Sequence, residues 1–237
     1  MRAIICKDWG DPETLELGEL PEPALGPGQV RIRMRAAGVN FADCVLVRGQ
    51  YQEKPDLPFA PGLEGAGEIM KVGDGVADFK PGDRVMAVVS AGAYAEQAVC
   101  DATTVFHIPD GMDNMTAAAF PVAYGTSHLA LVHRAKLKVG ETLLVLGAGG
   151  GVGLTAIECG KALGATVIAA ASTAEKLELA RARGADHLIN YAEEDLRGAL
   201  RKITDGNGVD VVYDPVGGEL AQTAMRSLAW SGRLLVI

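Results

Sequence analysis

Apolar residues follow two different periods along this chain, and the change comes near Met115. In the first half they alternate. "VRIRMR" (Val30 to Arg35) sets apolar against basic residues one by one, as a strand with one wet face does. "GEIMKVG" (Gly67 to Gly73), "DRVMAVV" (Asp83 to Val89) and "AYAEQAVC" (Ala93 to Cys100) predict further strands. "EPALGPGQ" and "KPGD" (Lys80 to Asp83) are turn chemistry, because Pro and Gly interrupt regular structure. Few helical patterns intervene, which predicts a small barrel or sandwich.

From Met115 onward the period lengthens. "TAAAFPVAYGTSHLALVHRA" reads as helix on both sides of Pro121, which kinks or breaks it. Strands are predicted at Leu143–Leu146, Thr166–Ala170, His187–Asn190, Val209–Tyr213 and Leu234–Ile237. Helices alternate with them: one to about Leu163, one over Thr173–Arg183, one reaching Ile203 and one over Glu219–Trp230. Val152, Ala156, Cys159 and Leu163 share one face of the first. This alternation predicts a parallel doubly wound sheet, so the class is α/β, with domains at 1–122 and 123–237. "GRLLVI" stops at Ile237 inside the fifth strand, where the usual arrangement has six, so a longer protein is expected.

Composition narrows the classes. A chain of 237 residues, 49% hydrophobic and 22% charged, is that of a soluble globular protein. A formal charge of −8 lacks the general footprint for nucleic acid or anionic membrane, and neither is expected as a partner. No apolar window of about 18 residues predicts a membrane span. Cys6, Cys44, Cys100 and Cys159 are scattered without a CxxC pair, which fits a reducing cytoplasm.

The chemistry concentrates at "LLVLGAGGGVGLTAI" (Leu143 to Ile157), an apolar strand, a glycine turn and a helix start. A strict GxGxxG fails, since Ala148 takes its first position, but GxxGxxG fits at Gly147, Gly150 and Gly153. Such a turn lets backbone approach a pyrophosphate, with the helix dipole behind the exposed N–H groups. Gly151 and Val152 open that helix. At the end of the second strand an NAD site carries an acid. Here "VIAAASTAEK" has none before Glu175, and offers Ser172 and Lys176 instead. Hydroxyl and ammonium suit the 2′-phosphate of NADP(H). Ser172-x-x-Glu175 also reads as a capping box, and Lys176 as a solvated helix charge.

"GVNFADCVLVRGQY" (Gly38 to Tyr51), "PGLEGAGEIMKVGDGVADFKPGDRV" (Pro61 to Val85), "GAYAEQ" and "GADHLINY" resemble the zinc-free quinone oxidoreductase (zeta-crystallin-like) branch of the medium-chain dehydrogenase/reductase superfamily. The resemblance runs from the first strand to the last residue. It implies a β-rich GroES-like catalytic domain joined to a Rossmann domain, NADP(H) as cofactor, a quinone or α,β-unsaturated carbonyl as substrate, and a homodimer. Zinc relatives place cysteine where Asn40 stands and histidine where Leu63 precedes Glu64, so no metal site is expected. Tyr51, Asn40 and Asp43 are the implied catalytic residues. Asn40, Thr126 and Tyr191 are implied cofactor contacts, and Val216 and Gly217 backbone contacts following Asp214. Val45 departs from the tyrosine that many bacterial members place there. Without the resemblance, Tyr51 is an amphipathic loop aromatic, Asp43 an exposed loop acid and Thr126 a helix cap. An enoyl-thioester reductase and a non-catalytic NADPH-binding protein are the alternative functions.

Overall fold

The computed structural model describes residues 1–237. The chain forms two compact units, Met1–Val122 and Ala123–Ile237.

The first unit contains β1 (Arg2–Ile5), β2 (Glu16–Glu19), β3 (Gln29–Ala37), α1 (Phe41–Val47), β4 (Glu64–Val72), β5 (Arg84–Val88), β6 (Gln97–Asp101), β7 (Val105–His107) and α2 (Asn114–Ala118). β1 and β2 form a two-stranded antiparallel sheet, and the others an antiparallel sheet in the order β6-β3-β4-β5-β7. The alternation in β3 has its expected result: Val30 and Ile32 are buried, and Arg33 and Arg35 face water. The strand expected over Ala93–Cys100 is shorter. Ala93 and Tyr94 donate their N–H groups to Gly62 and Pro61, and Ala95 bridges to Ala3, so only Gln97 onward is free to join β3.

The second unit follows α3 (Pro121–His128), which starts at the proline and runs into a π-helical turn, Leu129–Arg134. Proline suits a first helical position because its missing N–H would be unpaired there. Then come β8 (Thr142–Val145), α4 (Gly151–Ala162), β9 (Thr166–Ala171), α5 (Ala174–Ala182), β10 (His187–Asn190), α6 (Leu196–Ile203), β11 (Val209–Asp214), α7 (Gly218–Met225) and β12 (Leu228–Val236). The sheet is wholly parallel, in the order β10-β9-β8-β11-β12. Helices cover both of its faces. Leu143 and Val145 pack with Ala156 and Ile157 of α4, and Leu144 with Leu196 and Leu200 of α6. Burial on both faces is why this strand reads as an unbroken apolar run. Val152, Cys159 and Leu163 join Ala156 against the first of these cores, as their spacing requires.

One boundary differs from expectation. The last helix ends at Met225, and Trp230 lies in β12. Pairing with β11 runs from Leu228 through a bulge to Val236, and it overrides the local helical pattern. No helix is long and apolar enough to cross a membrane.

Candidate functional site

In the first unit the site is built around the start of α1. The sequence "GVNFADCVLVRGQY" forms a short helix there, not an open loop. Asn40 is its N-cap, with extended φ and ψ, and its N–H donates to Asp43 Oδ2 at 2.8 Å. That bond is one half of a capping box, and it satisfies a donor that helix geometry would leave unpaired. Asp43 is therefore no exposed acid; only 4% of it is accessible. Tyr94 Oη donates to the same oxygen at 2.9 Å. Oδ1 is buried without a hydrogen bond of good geometry, although the Gly62 and Leu63 N–H groups face the carboxylate. Burial pushes the Asp43 carboxyl above its ordinary value, and the Asn40, Tyr94, Leu63 and Gly62 donors offset part of the shift. Burial and the neighbouring Asp43 charge likewise push the Tyr94 phenol well up.

The second buried carboxylate is Glu64, at the start of β4 and 1% accessible. Its Oε1 accepts from Asn40 Nδ2 at 2.8 Å, and its Oε2 from the Val122 N–H at 2.8 Å. Burial raises its pKa and these two donors lower it, the first effect being the larger. No ion pair neutralises either acid. Tyr51 follows α1. Its ring packs against the cluster of Leu46, Val47, Phe59 and Leu63, and its hydroxyl makes no hydrogen bond within the protein. Arg48 pairs with Asp11 at 2.8 Å, a structural role.

In the second unit the glycine turn links β8 to α4. Gly150 is the N-cap and brings no side chain, so the first-turn N–H groups of Gly151, Val152 and Gly153 lack a capping partner. A Cβ on Gly153 would stand 2.5 Å from the Gly147 carbonyl oxygen, whereas one on Gly151 would meet nothing within 4 Å. One glycine thus lets helix and turn close together, and the other leaves open the space a phosphate needs. Gly147 itself has φ +58°, with Val216 Cγ2 2.9 Å from its notional Cβ.

Around the carboxyl end of β9 the structure gathers Ser172, Lys176 and Tyr191. The helix cap is Thr173, whose hydroxyl accepts from the Lys176 N–H, so the capping box expected at Ser172 does not form. Ser172 is left half-buried with its hydroxyl uncommitted. The Lys176 stem lies over Gly149, where a Cβ would be 2.6 Å from its Cβ and Cγ. Its ammonium is exposed and forms no ion pair. Tyr191 is tied to the same strand end by its N–H bond to the Ala171 carbonyl, 3.2 Å.

One further expectation changes, and the segment after Asp214 gains detail. Thr126 lies inside α3, so it caps nothing. The N–H groups of Val216 and Gly217 both donate to Asp214 Oδ1 at 2.9 Å. The Gly217 carbonyl is taken by the Ala221 N–H, which leaves the Val216 carbonyl as the backbone group open to a ligand. Beside Thr126, Ser127 is fully buried and its hydroxyl contacts Thr155 Oγ1 at 2.8 Å and Tyr213 Oη at 3.1 Å.

Sequence reasoning missed Tyr94 and Gly149, and weighed Glu64 only as a neighbour of Leu63. The one signal for Glu64 was an acid set among small residues in "GLEGAG", out of place for a buried strand. Tyr94 had none, being 51 residues from its partner.

Comparison with known proteins is informative over the whole chain. Residues 26–110 match a family described as alcohol dehydrogenase GroES-like domain, and residues 151–237 one described as zinc-binding dehydrogenase. Quinone oxidoreductase-like protein 2 of Mus musculus is 44% identical over 237 residues, covering 100% of this chain and 67% of that protein. Quinone oxidoreductase of Pseudomonas aeruginosa is 41% identical over 228 residues, covering 96% of this chain and 70% of that one. Mycobacterial Rv1454c, solved in complex with NADPH, superposes with a TM-score of 0.93 at 36% identity, covering 100% of this chain and 74% of that one. The chain thus spans about two thirds of the length of these curated relatives.

Proposed function

The chain belongs to the quinone oxidoreductase branch of the medium-chain dehydrogenase/reductase superfamily, and from that premise we propose that it reduces a quinone or an α,β-unsaturated carbonyl with NADPH, without zinc. The observation that carries the cofactor choice is Lys176, unpaired and laid over Gly149 beside an acid-free strand end. The relative solved with NADPH supports the same choice.

The residues present fit that cofactor. The open space at Gly151 and the uncapped N–H groups of α4 suit a pyrophosphate. Ser172, Lys176 and Tyr191 suit a 2′-phosphate, and the Val216 carbonyl a carboxamide. Thr126 and Asn40 supply further polar contacts. When bound, NADPH supplies a hydride at its nicotinamide. The protein then has to hold the acceptor about 3–3.5 Å away and stabilise the charge that reaches its oxygen. Tyr51, whose hydroxyl has no other partner, donates to that oxygen and regains a proton from solvent. Asp43 acts behind Asn40 as a positioning residue, because both its hydrogen bonds are internal.

Zinc independence rests on residue type. An amide at Asn40 and an alkyl chain at Leu63 are not zinc ligands, and both Glu64 oxygens already accept from the protein. A cytoplasmic homodimer, binding neither nucleic acid nor membrane, belongs to the same proposal.

The test is NADPH oxidation by the full-length protein with ortho-quinones, para-quinones, alkenals and crotonyl-CoA. Turnover of a quinone or alkenal is expected. Turnover of crotonyl-CoA alone moves the assignment to enoyl thioesters, and tight NADPH binding with no turnover moves it to a non-catalytic role.

A further inference from the structure

We infer that Glu64 is a positioning residue that sets the polarity of the Asn40 amide, so that Asn40 offers its carbonyl oxygen, as an acceptor, to a hydroxyl or amide donor of the bound ligand. This rests on the proposed placement of Asn40 at the cofactor and acceptor.

Three observations combine. Glu64 stands between two donors, the Asn40 Nδ2 and the Val122 N–H, each 2.8 Å away. A main-chain N–H can only donate, so Oε2 must accept; whenever the carboxyl is ionised, Oε1 too has only an acceptor to turn toward Asn40, and in the structure it accepts from Nδ2. The amide therefore faces Glu64 with its nitrogen, and Oδ1 turns toward the start of α1, where the Asp43 N–H already donates to the Asn40 carbonyl at 3.1 Å and Oδ1 makes no capping hydrogen bond of its own. Glu64 is 1% accessible, so water does not substitute for either donor. Finally, Gly38 makes room for the contact. A Cβ there would lie 2.3 Å from Glu64 Oε1 and 2.7 Å from Cδ and Cγ. Any larger residue displaces the carboxylate from Asn40.

The consequence divides labour in the site. With one Nδ2 hydrogen committed to a carboxylate and Oδ1 turned away from it, Asn40 is suited to fix a ribose hydroxyl or a carboxamide. Stabilising a developing oxyanion falls to Tyr51.

The experiment exchanges acid and amide between positions 64 and 40, conserving charge once both changes are made. In Glu64→Gln, the Val122 N–H claims the new amide oxygen, and the amide nitrogen turns toward Asn40, which must flip. kcat/KM is expected to fall about ten- to a hundredfold, through the KM for NADPH as well as kcat. Adding Asn40→Asp restores an acceptor at both points, facing position 64 and facing the ligand, and is expected to recover activity to within about tenfold of the parent. Glu64→Gln placed in an Asn40→Ala background is expected to add little further loss. A stability defect alone would be neither rescued by Asn40→Asp nor masked by Asn40→Ala, and either result overturns the inference. Activity at the parent level in Asn40→Ala overturns both this inference and the placement of Asn40. Loss in Asn40→Ala with a parent-like Glu64→Gln overturns this inference alone. If Glu64→Gln does not fold, the parent still decides the matter: the side-chain amide of Asn40, labelled with ¹⁵N and assigned by its loss in Asn40→Ala, should show one slowly exchanging proton, and two rapidly exchanging protons overturn the inference.

Discussion

Replacing Lys176 with alanine should separate the two nicotinamide cofactors. The ammonium is exposed and has no carboxylate partner, so its removal orphans no other group. Its stem already rests on Gly149, so little side-chain freedom remains to be lost on binding. A unit charge pair about 4 Å apart interacts by about 1 kcal/mol in water and about 4 kcal/mol near a protein surface. A net charge-assisted contact of about 1.5–3 kcal/mol lies between these limits. Lys176→Ala should therefore weaken NADPH about ten- to a hundredfold and leave NADH nearly unchanged. The difference should shrink at high salt, because the site is exposed. Gly149→Ala should act in the same direction and more weakly. Its methyl would stand 2.6 Å from the Lys176 Cβ and Cγ, closer than carbons pack, and so push the stem aside. Fluorescence titrations of both cofactors at low and high salt measure each of these. Equal losses for NADPH and NADH in Lys176→Ala, or tighter NADH binding in the parent protein, would refute the phosphate assignment.

Tyr51→Phe keeps the ring on its apolar cluster and removes only the hydroxyl, so kcat should fall about a hundredfold with NADPH affinity unchanged, and full turnover of both a quinone and an alkenal would remove Tyr51 from the mechanism. Metal analysis of the full-length protein should find no stoichiometric zinc, and activity should survive chelation; zinc at one per chain with activity lost on its removal contradicts the assignment. The buried Asp43 and Glu64 carboxyls, both raised by desolvation, should give a pH signature. Each binds its proton more tightly folded than unfolded, so its contribution is fully present below the unfolded pKa and is lost as pH rises through the folded one. Relative to the parent, Asp43→Asn, which has no acid to titrate, should thus gain stability as pH rises above the ordinary carboxylate range in denaturant titrations, and an unchanged difference would contradict the raised pKa. Tyr213→Phe should cost about 1 kcal/mol of stability, since it removes one hydroxyl from a buried pair with Ser127, and a neutral result would mean that the pair contributes nothing net.

What the sequence determined by itself is the second unit and its glycine turn. The strands of that unit are buried on both faces and read as apolar runs, the helices between them carry one apolar stripe, and the glycine turn, Ser172 and Lys176 are features of contiguous segments. Local chemistry decides such elements, so their order and most of their ends are legible. Tertiary structure decided what joins distant segments. Asn40 meets Glu64 across 24 residues and Asp43 meets Tyr94 across 51, and no local pattern encodes either contact. The same holds where two local solutions were equally good. Ser172 and Thr173 both have a cap's chemistry, and the point where β9 stops selects Thr173. Leu228 suits a helix until Val209 of β11 offers it a backbone partner. Local preferences are worth tenths of a kcal/mol to about one per residue, and a strand partner or a buried carboxylate between two donors outweighs them.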